Sequence, residues 1–300
     1  MEEVKINYFG FTEDFDEQNN FLLDILAKNF KPVISDKPDF VFCSWFYRES
    51  RNKKKKFPFK NCIKIFFSQE PLRIRSLRYH YIAADRVFKT LQKDKFLLYN
   101  YCPPINPEQR KTLPDSLAKR KFCNFVYSNF SCGNNAQNRV DFCKKLAQYK
   151  HIDCPGKVLN NMKNSISARD GVDWVQGKMD FISNYKFTIA FENNIFRGYT
   201  TEKLYQPFLA NSIPIYSGNP DVLEDYNPKA FINVADYKNF DEVIEKVIEL
   251  DNNDELYMQM LREPVYCREI DYDKKLEEFL YHAVKQGNTF LNRLNKAIFI

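Results

Sequence analysis

Apolar residues along the first hundred positions follow the periods of strands and helices in turn. Val4, Ile6 and Tyr8 alternate with polar residues, which predicts a half-buried strand. Two short apolar runs, Phe40–Phe46 and Ile63–Phe67, predict buried strands that end in polar loops. Between them and the first strand, helical spacing predicts one amphipathic helix, with these apolar positions: Phe21, Leu22, Ile25, Leu26 and Phe30. The pattern therefore predicts an α/β sheet over this part of the chain.

The segment Cys102–Ser116 interrupts this alternation. Four of the chain's 14 prolines fall within it, at positions 103, 104, 107 and 114. Proline fixes φ and removes a backbone donor, so the segment is typical of a linker between two domains. We therefore predict a first domain at residues 1–112 and a second domain at residues 113–300.

A second series of strands and helices is predicted after the linker. Asn124–Ser128 is predicted to be a strand and Asn138–Tyr149 a helix. The clearest helix is Asn239–Leu250, where Asn239 and Glu242 match a capping box. Three apolar runs predict buried parallel strands: Lys186–Phe191, Ile213–Tyr216 and Phe231–Val234. Two α/β domains joined by a linker imply a cleft, with functional residues in the loops after the carboxyl ends of the strands.

Apolar residues also recur at helical spacing near the C-terminus, in two groups on either side of Gly287. The pattern predicts a helical tail that breaks at this glycine. We expect the apolar faces of the tail to pack against the protein, with interfacial contact to a membrane as the alternative.

Composition narrows the classes of ligand. None of the 8 glycines lies in a G-x-G-x-x-G or G-x-x-x-x-G-K-[ST] motif, so side chains and helix ends would have to hold any phosphate group. The net charge of +6 is modest, and 39 acidic residues are interspersed with 45 basic ones. This balance does not indicate nucleic-acid binding. Small anionic ligands and an anionic membrane surface remain open as partners.

The cysteines and the N-terminus indicate the compartment. The 8 cysteines include no C-x-x-C pair and the 3 histidines are far apart in sequence, so zinc-ligand spacing is absent. Buried free thiols in a reducing compartment are expected. The N-terminus lacks the apolar core of a signal peptide, and no apolar run approaches the ~18 residues of a membrane span. The sequence thus predicts a soluble, cytoplasmic protein.

The segment Phe191–Leu204 is the densest group of candidate functional residues, because it leaves a buried strand and enters a helix. Lys203 would lie in the first turn of that helix, where a cation opposes the helix dipole. A bound anion would reverse this penalty; the alternative is a side chain that projects into solvent. Arg139 lies at a corresponding strand-to-helix turn, where the alternative is a surface arginine. Together the two cations favour a diphosphate site.

Glu70 is the third candidate. The predicted strand Ile63–Phe67 carries it to a strand end, and Pro71 fixes the next backbone angle. A carboxylate at the edge of the first domain is suited to act as a general base. The alternative is an ordinary solvated glutamate.

Four segments of the chain resemble the α-1,3/4-fucosyltransferases of glycosyltransferase family 10. They are Phe191-Glu-Asn193, Gly198-Tyr-Thr-Thr-Glu-Lys-Leu204, Ile213-Pro-Ile-Tyr-Ser-Gly218 and Phe231-Ile-Asn-Val234. The family patterns are close to F-E-N-S, G-Y-V-T-E-K and P-I-Y-W-G. The resemblance is specific over about residues 120–240 and weaker before residue 100. The chain differs from the patterns at Asn194, Thr200 and Ser217, the last of which lies near the family's sugar pocket.

The resemblance implies a GT-B fold, in which two Rossmann-like domains face each other across a cleft and C-terminal helices pack back. The first domain would hold a glycan acceptor such as N-acetyllactosamine, and the second would hold GDP-fucose. The implied reaction is an inverting transfer of fucose to a glycan hydroxyl, the 3-hydroxyl of N-acetylglucosamine being the one expected, with Glu70 as general base and no metal or other cofactor required. The donor-binding residues implied by position are Arg139 and Lys203 at the diphosphate, Asn193 assisting them, and Tyr199 and Glu202 near the ribose or fucose.

Alternative interpretations remain open at this stage. Ser217 leaves open a family relative that transfers another sugar. A non-catalytic protein binding anionic glycans or nucleic acid would not depend on Glu70 and would show a steep salt dependence. The basic segment Arg51–Lys56 is predicted to be a solvated loop, with attraction to anionic lipid as its alternative. Asp271-Tyr-Asp273 resembles a metal-binding D-x-D motif but follows the predicted sheet, so we do not expect it to bind metal.

Overall fold

The computed structural model describes residues 1–12, 15–44, 57–68, 79–84, 93–99, 103–128, 133–163 and 174–298, with the backbone alone at residues 93, 174 and 288–298. The basic segment 51–56 lies outside the described residues. The chain divides into two compact units, of which the first is Met1–Tyr101 with Asp271–Ile300 and the second is Cys102–Ile270.

The first unit is built on a six-stranded parallel sheet with the strand order β2-β1-β3-β4-β5-β6. Its strands are β1 (Glu3–Phe9), β2 (Lys31–Ile34), β3 (Phe40–Cys43), β4 (Ile63–Ser68), β5 (Tyr81–Ala84) and β6 (Phe96–Leu98). Its helices are α1 (Phe21–Ala27) and α8 (Tyr272–Ile298). The predicted alternation in β1 is confirmed, because Val4, Ile6 and Tyr8 are buried between more exposed neighbours. Helix α1 begins after Asn20, whose side chain accepts a hydrogen bond from the Leu23 amide.

The second unit contains a five-stranded parallel sheet with the order β11-β10-β9-β7-β8. Its strands are β7 (Lys121–Asn124), β8 (Ile152–Asp153), β9 (Tyr185–Phe191), β10 (Ile213–Ser217) and β11 (Ile232–Asn233). Its helices are α2 (Pro107–Lys111), α3 (Ala136–Leu146), α4 (Trp174–Ile182), α5 (Glu202–Leu209), α6 (Phe240–Asp251) and α7 (Asp254–Arg262). Strand β9 is buried at every position, as expected for a central strand of a parallel sheet.

Two boundaries differ from those predicted. The predicted strand Asn124–Ser128 lies three residues too far along the chain, since β7 ends at Asn124. The proline-rich segment is not a simple linker, because Pro107 begins helix α2 and Asn106 caps it through the Glu108 amide. Arg110 of this helix is buried and its Nε donates to the Glu263 carbonyl at 2.9 Å. These contacts attach the segment to the second unit, which therefore begins near residue 102 instead of 113.

The C-terminal helix α8 runs without a break through Gly287, so the predicted interruption is wrong. An ideal Cβ at Gly287 would lie 2.5 Å from Cε1 of Phe40 and 3.1 Å from Cγ1 of Ile63. The glycine thus permits a close approach between α8 and the sheet of the first unit. Residues 271–300 accordingly belong to the first unit and not to the predicted second domain.

Gly287→Ala should lower the free energy of unfolding by about 1–3 kcal/mol, because the added methyl group overpacks against the buried Phe40 ring. The matched control is Gly177→Ala in α4, where nothing lies within 4 Å of an ideal Cβ. That change should stabilise the protein by about 0.5–1 kcal/mol, since alanine favours helix over glycine. Denaturant unfolding of both variants tests the pair; equal effects would contradict the close packing at Gly287.

The described cysteines are free thiols, of which five are buried and Cys267 is exposed. All five buried cysteines lie in strands or helices or next to a strand, where a thiol packs as a small apolar group. Within the described ranges, no helix is long and apolar enough to span a membrane.

Candidate active site

The candidate site lies where β7, β9 and β10 end, since parallel neighbours bring their carboxyl ends to one edge of the sheet. The loop from Glu192 to Thr201 leaves β9 and enters α5. Asn219, just after β10, holds this loop: its Oδ1 accepts from the Gly198 amide at 2.8 Å and its Nδ2 donates to Thr200 Oγ1 at 3.1 Å. These hydrogen bonds hold the loop after β9 against the loop after β10.

Glu192 is the fully buried carboxylate of the site, with 0% of its surface exposed. Its Oε1 accepts from the Thr201 amide and its Oε2 from the Thr201 hydroxyl, each at 2.7 Å. The Lys203 ammonium lies 3.6 Å from Oε2. Burial raises the pKa of Glu192, while Lys203 and the hydrogen bonds from Thr201 act against that rise. No role was predicted for Glu192 from the sequence, although a glutamate directly after a buried strand is a usable signal.

Lys203 does not project into solvent, so that alternative is wrong. Its side chain is 16% exposed, and its Nζ lies 3.0 Å from Glu202 Oε1 and donates to Thr201 Oγ1 at 3.2 Å. Burial would lower the pKa of Lys203, but the Glu192 and Glu202 carboxylates raise it. The penalty for a cation in the first turn of α5 is therefore offset by two carboxylates of the same chain.

Glu202 carries its own negative charge at all ordinary pH values. Burial would raise the pKa of Glu202, but the ammonium groups of Lys203 and Lys178 lower it to about 2. Its side chain is one third exposed. A permanently charged carboxylate at the rim of the site is suited to accept hydrogen bonds from hydroxyl groups of a ligand.

Arg139 is buried in α3, with 1% of its surface exposed, so the alternative of a surface arginine is also wrong. Its Nη1 donates to Asn193 Oδ1 at 2.7 Å. The guanidinium carbon lies 4.4 Å from the centre of the Tyr127 ring, a cation–π distance. The Tyr127 hydroxyl in turn lies 3.0 Å from the Phe191 carbonyl. Arg139 and Asn193 thus form one hydrogen-bonded pair beside the end of β9.

The turn before α3 packs directly on the loop after β9. Gly133 has φ +101°, and an ideal Cβ there would lie 1.9 Å from the Asn193 carbonyl oxygen, so only glycine fits. The Asn135 amide donates to the same oxygen at 3.0 Å. Asn134 donates from its backbone amide to Asn194 Oδ1 at 3.1 Å. Asn194, which differs from the family pattern, therefore helps to join these two loops.

Ser217, the other notable difference from the family pattern, joins the same network. The Asn135 Nδ2 donates to the Glu192 carbonyl at 3.1 Å and lies 3.2 Å from Ser217 Oγ. Gly218 follows, where an ideal Cβ would lie 2.5 Å from Cγ of Glu192. The end of β10 is thus shaped around the buried Glu192 side chain.

Lys178 is a second residue that the sequence analysis did not single out. It lies in α4, is 9% exposed and, with Lys203 and Tyr127, lines a small cavity between β9, α4 and α5. Burial lowers the pKa of Lys178 to about 8, although the nearby Glu202 carboxylate raises it in part. Helix α4 was not predicted from the sequence and has nine residues.

The structure brings four of the predicted site residues to one edge of the second sheet: Arg139, Asn193, Glu202 and Lys203. Tyr199 lies in the same loop, but its ring is buried with 1% exposed, so its predicted contact with a ligand stays a prediction. Glu70 lies outside the described residues. Within those residues, no group of three or more His, Cys, Asp or Glu side chains is placed to hold a metal ion. Asp271 instead caps α8, accepting from the Lys274 amide at 2.8 Å.

Two family models match the chain. The model for the C-terminal part of glycosyltransferase family 10 (fucosyltransferase) matches residues 117–269. The model for the N-terminal domain of alpha-(1,3)-fucosyltransferase FucT matches residues 6–99. Between them they cover both sheets described above.

Curated proteins with similar sequences are also named as fucosyltransferases. The chain is 38% identical over 164 residues to alpha-(1,3)-fucosyltransferase FucT of Helicobacter pylori, a match covering 55% of this chain and 30% of that protein. It is 32% identical over 143 residues to 4-galactosyl-N-acetylglucosaminide 3-alpha-L-fucosyltransferase 9 of Homo sapiens, covering 47% of this chain and 36% of that protein. The chain thus spans roughly a third of the length of these curated relatives.

A crystal structure of an alpha1,3-fucosyltransferase with GDP-fucose shares the fold. The similarity has a TM-score of 0.68 at 23% identity and covers 94% of this chain and 91% of that one. The two parallel α/β units agree with the predicted GT-B fold and its Rossmann-like domains. Because the C-terminal family model alone covers just over half of the sequence, the chain belongs to glycosyltransferase family 10, the fucosyltransferases.

Proposed function

We propose that this chain transfers fucose from GDP-fucose to a hydroxyl group of a glycan acceptor, with inversion at the anomeric carbon. The observation that carries the proposal is the convergence of Arg139, Asn193, Glu202 and Lys203 where β9 ends. Asn193, Glu202 and Lys203 lie in the segments that resemble the family, and Arg139 lies where the resemblance implies a donor-binding arginine. Two relatives are named as 3-α-fucosyltransferases, and one solved structure of similar fold holds GDP-fucose, which supports the same donor here.

In the proposed reaction, the second unit binds the donor and stabilises its departing diphosphate. Positive charge builds on the sugar carbon in the transition state, while negative charge builds on the β-phosphate. Cations already positioned near that phosphate lower the barrier, because they need no reorganisation during the reaction. Lys203 and Arg139 supply these cations, and the Asn193 amide assists from its place beside Arg139. Tyr199 and Glu202 would contact the ribose or fucose.

Glu70 is the proposed general base. Its support comes from the sequence alone, in which it is the second residue after the last residue of β4. A carboxylate there would take the proton from the acceptor hydroxyl as that oxygen attacks the fucose carbon. In this scheme, cationic side chains neutralise the negative charge of the diphosphate, so the proposal requires no metal ion.

The proposed acceptor group is the 3-hydroxyl of N-acetylglucosamine within N-acetyllactosamine. Support comes from the name of the Homo sapiens relative, a 4-galactosyl-N-acetylglucosaminide 3-alpha-L-fucosyltransferase. The first unit would bind this acceptor, since the candidate donor residues all belong to the second unit. A family relative that uses another sugar nucleotide is the alternative that Ser217 keeps open.

Purified protein incubated with N-acetyllactosamine should release GDP from GDP-fucose faster than it releases nucleotide from GDP-mannose, UDP-galactose or UDP-N-acetylglucosamine. The expected product is the acceptor bearing one fucose, detected by mass spectrometry, with NMR assigning linkage and anomeric configuration. Preference for a different sugar nucleotide would support the alternative donor. Binding of anionic glycans without any nucleotide release would contradict an enzymatic role.

A further inference from the structure

We propose that Lys178 is a third cation of the donor site, held beside Lys203 to attract and bind the negative charge of the nucleotide diphosphate. The inference rests on the proposed function, because the ligand in question is the GDP part of the donor. Nothing in the motifs that resemble the family includes α4 or this lysine.

The position of Lys178 is the first argument. Helix α4 packs against β9 and α5, the two elements that carry the site. Lys178 and Lys203 line one cavity together with Tyr127, Thr188 and Pro207. The Lys203 ammonium is close enough to lower the pKa of Lys178. The Glu192 and Glu202 carboxylates compensate part of this positive charge, and a bound anion would compensate more of it.

The lack of a direct partner is the second argument. Among the described residues, Lys178 makes no hydrogen bond and no ion pair within 4 Å, although it is more than nine-tenths buried. Other buried cations of this unit are paired. Lys186 lies 3.0 Å from Asp251, Arg110 donates to the Glu263 carbonyl, and Arg139 donates to Asn193. The Lys178 side chain reaches the cavity, and its ammonium is near the Glu202 and Glu192 carboxylates without an ion pair to either, so its three hydrogen-bond donors remain available to an anion.

The charge balance of the site is the third argument. Lys203 lies between two carboxylates, Glu192 and Glu202. These three groups carry a net charge of −1 when all are ionised, so Lys203 alone cannot attract a diphosphate. Arg139 and Lys178 change the net charge of the site to +1. Without Lys178 the site would be neutral, and its attraction for an anion would rest on local geometry alone.

The proposal has a consequence for pH. The groups that face Lys178 are Glu202 and Lys203 of α5, Glu192 after β9, and Tyr127 after β7. Burial lowers the pKa of Lys178 to about 8 in the empty site, so a part of the molecules lose this charge in mildly alkaline solution. A bound diphosphate would raise that pKa again. GDP binding near pH 8 should therefore take up protons, and GDP affinity should fall as the pH rises through 8.

The test compares wild type, Lys178→Met and the charge-retaining Lys178→Arg by calorimetry with GDP and with guanosine. At pH 7 we expect Lys178→Met to weaken GDP binding about tenfold or more, with guanosine binding unchanged and Lys178→Arg retaining most of the affinity. At pH 9 the difference between wild type and Lys178→Met should shrink, because Lys178 is by then largely neutral. The proton uptake near pH 8, measured in buffers of different ionisation enthalpy, should be lost in Lys178→Met.

Thermal unfolding distinguishes a ligand-binding role of Lys178 from a purely structural one. Without ligand, Lys178→Met should melt at the same temperature as wild type or higher, because the change removes an unpaired buried charge. The rise in melting temperature on adding GDP should be smaller than in wild type. A ligand-free variant that melts well below wild type would indicate a structural role and overturn the proposal.

Two binding results would also overturn the assignment of Lys178. They are unchanged GDP affinity in Lys178→Met at pH 7, and equal losses of GDP and guanosine affinity. Both leave the proposed function intact, since wild type still binds GDP. Failure of wild type itself to bind GDP would instead overturn the proposed function and the role of Lys178 together.

Discussion

Replacing Glu70 with Gln should lower kcat by about 10²–10⁴-fold while the affinity for GDP-fucose barely changes. The amide keeps the shape of the side chain and one acceptor oxygen but cannot take a proton at neutral pH. Donor affinity should be spared, because the candidate donor residues belong to the second unit and Glu70 belongs to the first. Slow hydrolysis of GDP-fucose by water should fall in parallel, since water needs the same base.

The measurements are kcat with saturating acceptor and the Kd of GDP-fucose for the same preparations. Glu3→Gln is a suitable control, because Glu3 is an exposed glutamate at the amino end of β1, the end opposite to that expected to bind ligands. It should leave kcat unchanged and alter stability by less than about 0.5 kcal/mol. Near-wild-type kcat in Glu70→Gln would exclude Glu70 as the general base.

Lys203→Ala should weaken GDP binding at least about tenfold, because it removes a charge-assisted contact to the diphosphate. The structure adds a second expected effect, which is a loss of stability. Without Lys203 the buried Glu192 carboxylate loses the cation 3.6 Å away, a change that can cost up to about 3–5 kcal/mol. Protonation of Glu192 limits this cost.

The sign of the pH dependence follows from Glu192. Its pKa is already raised by burial, and removing Lys203 raises it further. Below its folded-state pKa, Glu192 is protonated and neutral, so the instability of Lys203→Ala should be small in acid. The instability should grow as the pH rises from the unfolded-state pKa of Glu192 through its folded-state pKa, because over that range the folded state binds more protons than the unfolded state. Unfolding of the variant at pH 5 and pH 8 measures this trend.

A double variant separates binding from folding. Glu192→Gln with Lys203→Met removes both charges and leaves an amide that can still accept hydrogen bonds from Thr201. We expect its stability to recover toward wild type while GDP binding stays weak. Recovery of GDP affinity in the double variant, or wild-type affinity in Lys203→Ala, would exclude Lys203 as a diphosphate ligand.

Elements with a strong periodic pattern were predicted well from the sequence. Strand β9 was placed within one residue, and helix α6 begins after Asn239, whose side chain accepts from the Glu242 amide as predicted. Weaker elements were missed. Strand β6 has three residues, none of them fully buried, and α4 has only nine residues. Short elements are stabilised by neighbours that are distant in sequence, and no local pattern records those neighbours.

Gly287 illustrates a local signal with two meanings. In a sequence, a glycine between two helical segments indicates a break, because glycine is a poor helix former. In the folded chain the same residue lies against Phe40, where any Cβ would collide with the ring. The advantage of close packing outweighs the weak helix propensity, and only a contact across 247 positions of sequence decides between the two meanings.

The sequence by itself determined the fold class, the family and the identity of the candidate donor residues, because these depend on residue types at fixed spacing. Tertiary structure alone decided how the charges of the site are balanced. Glu192, Lys203 and Lys178 come from a strand end and two helices, and each charge has meaning only through its distance from the others and its burial. Electrostatic energy depends on the distance between charges in space and on the surrounding dielectric. Neither quantity can be read directly from the order of residues along the chain.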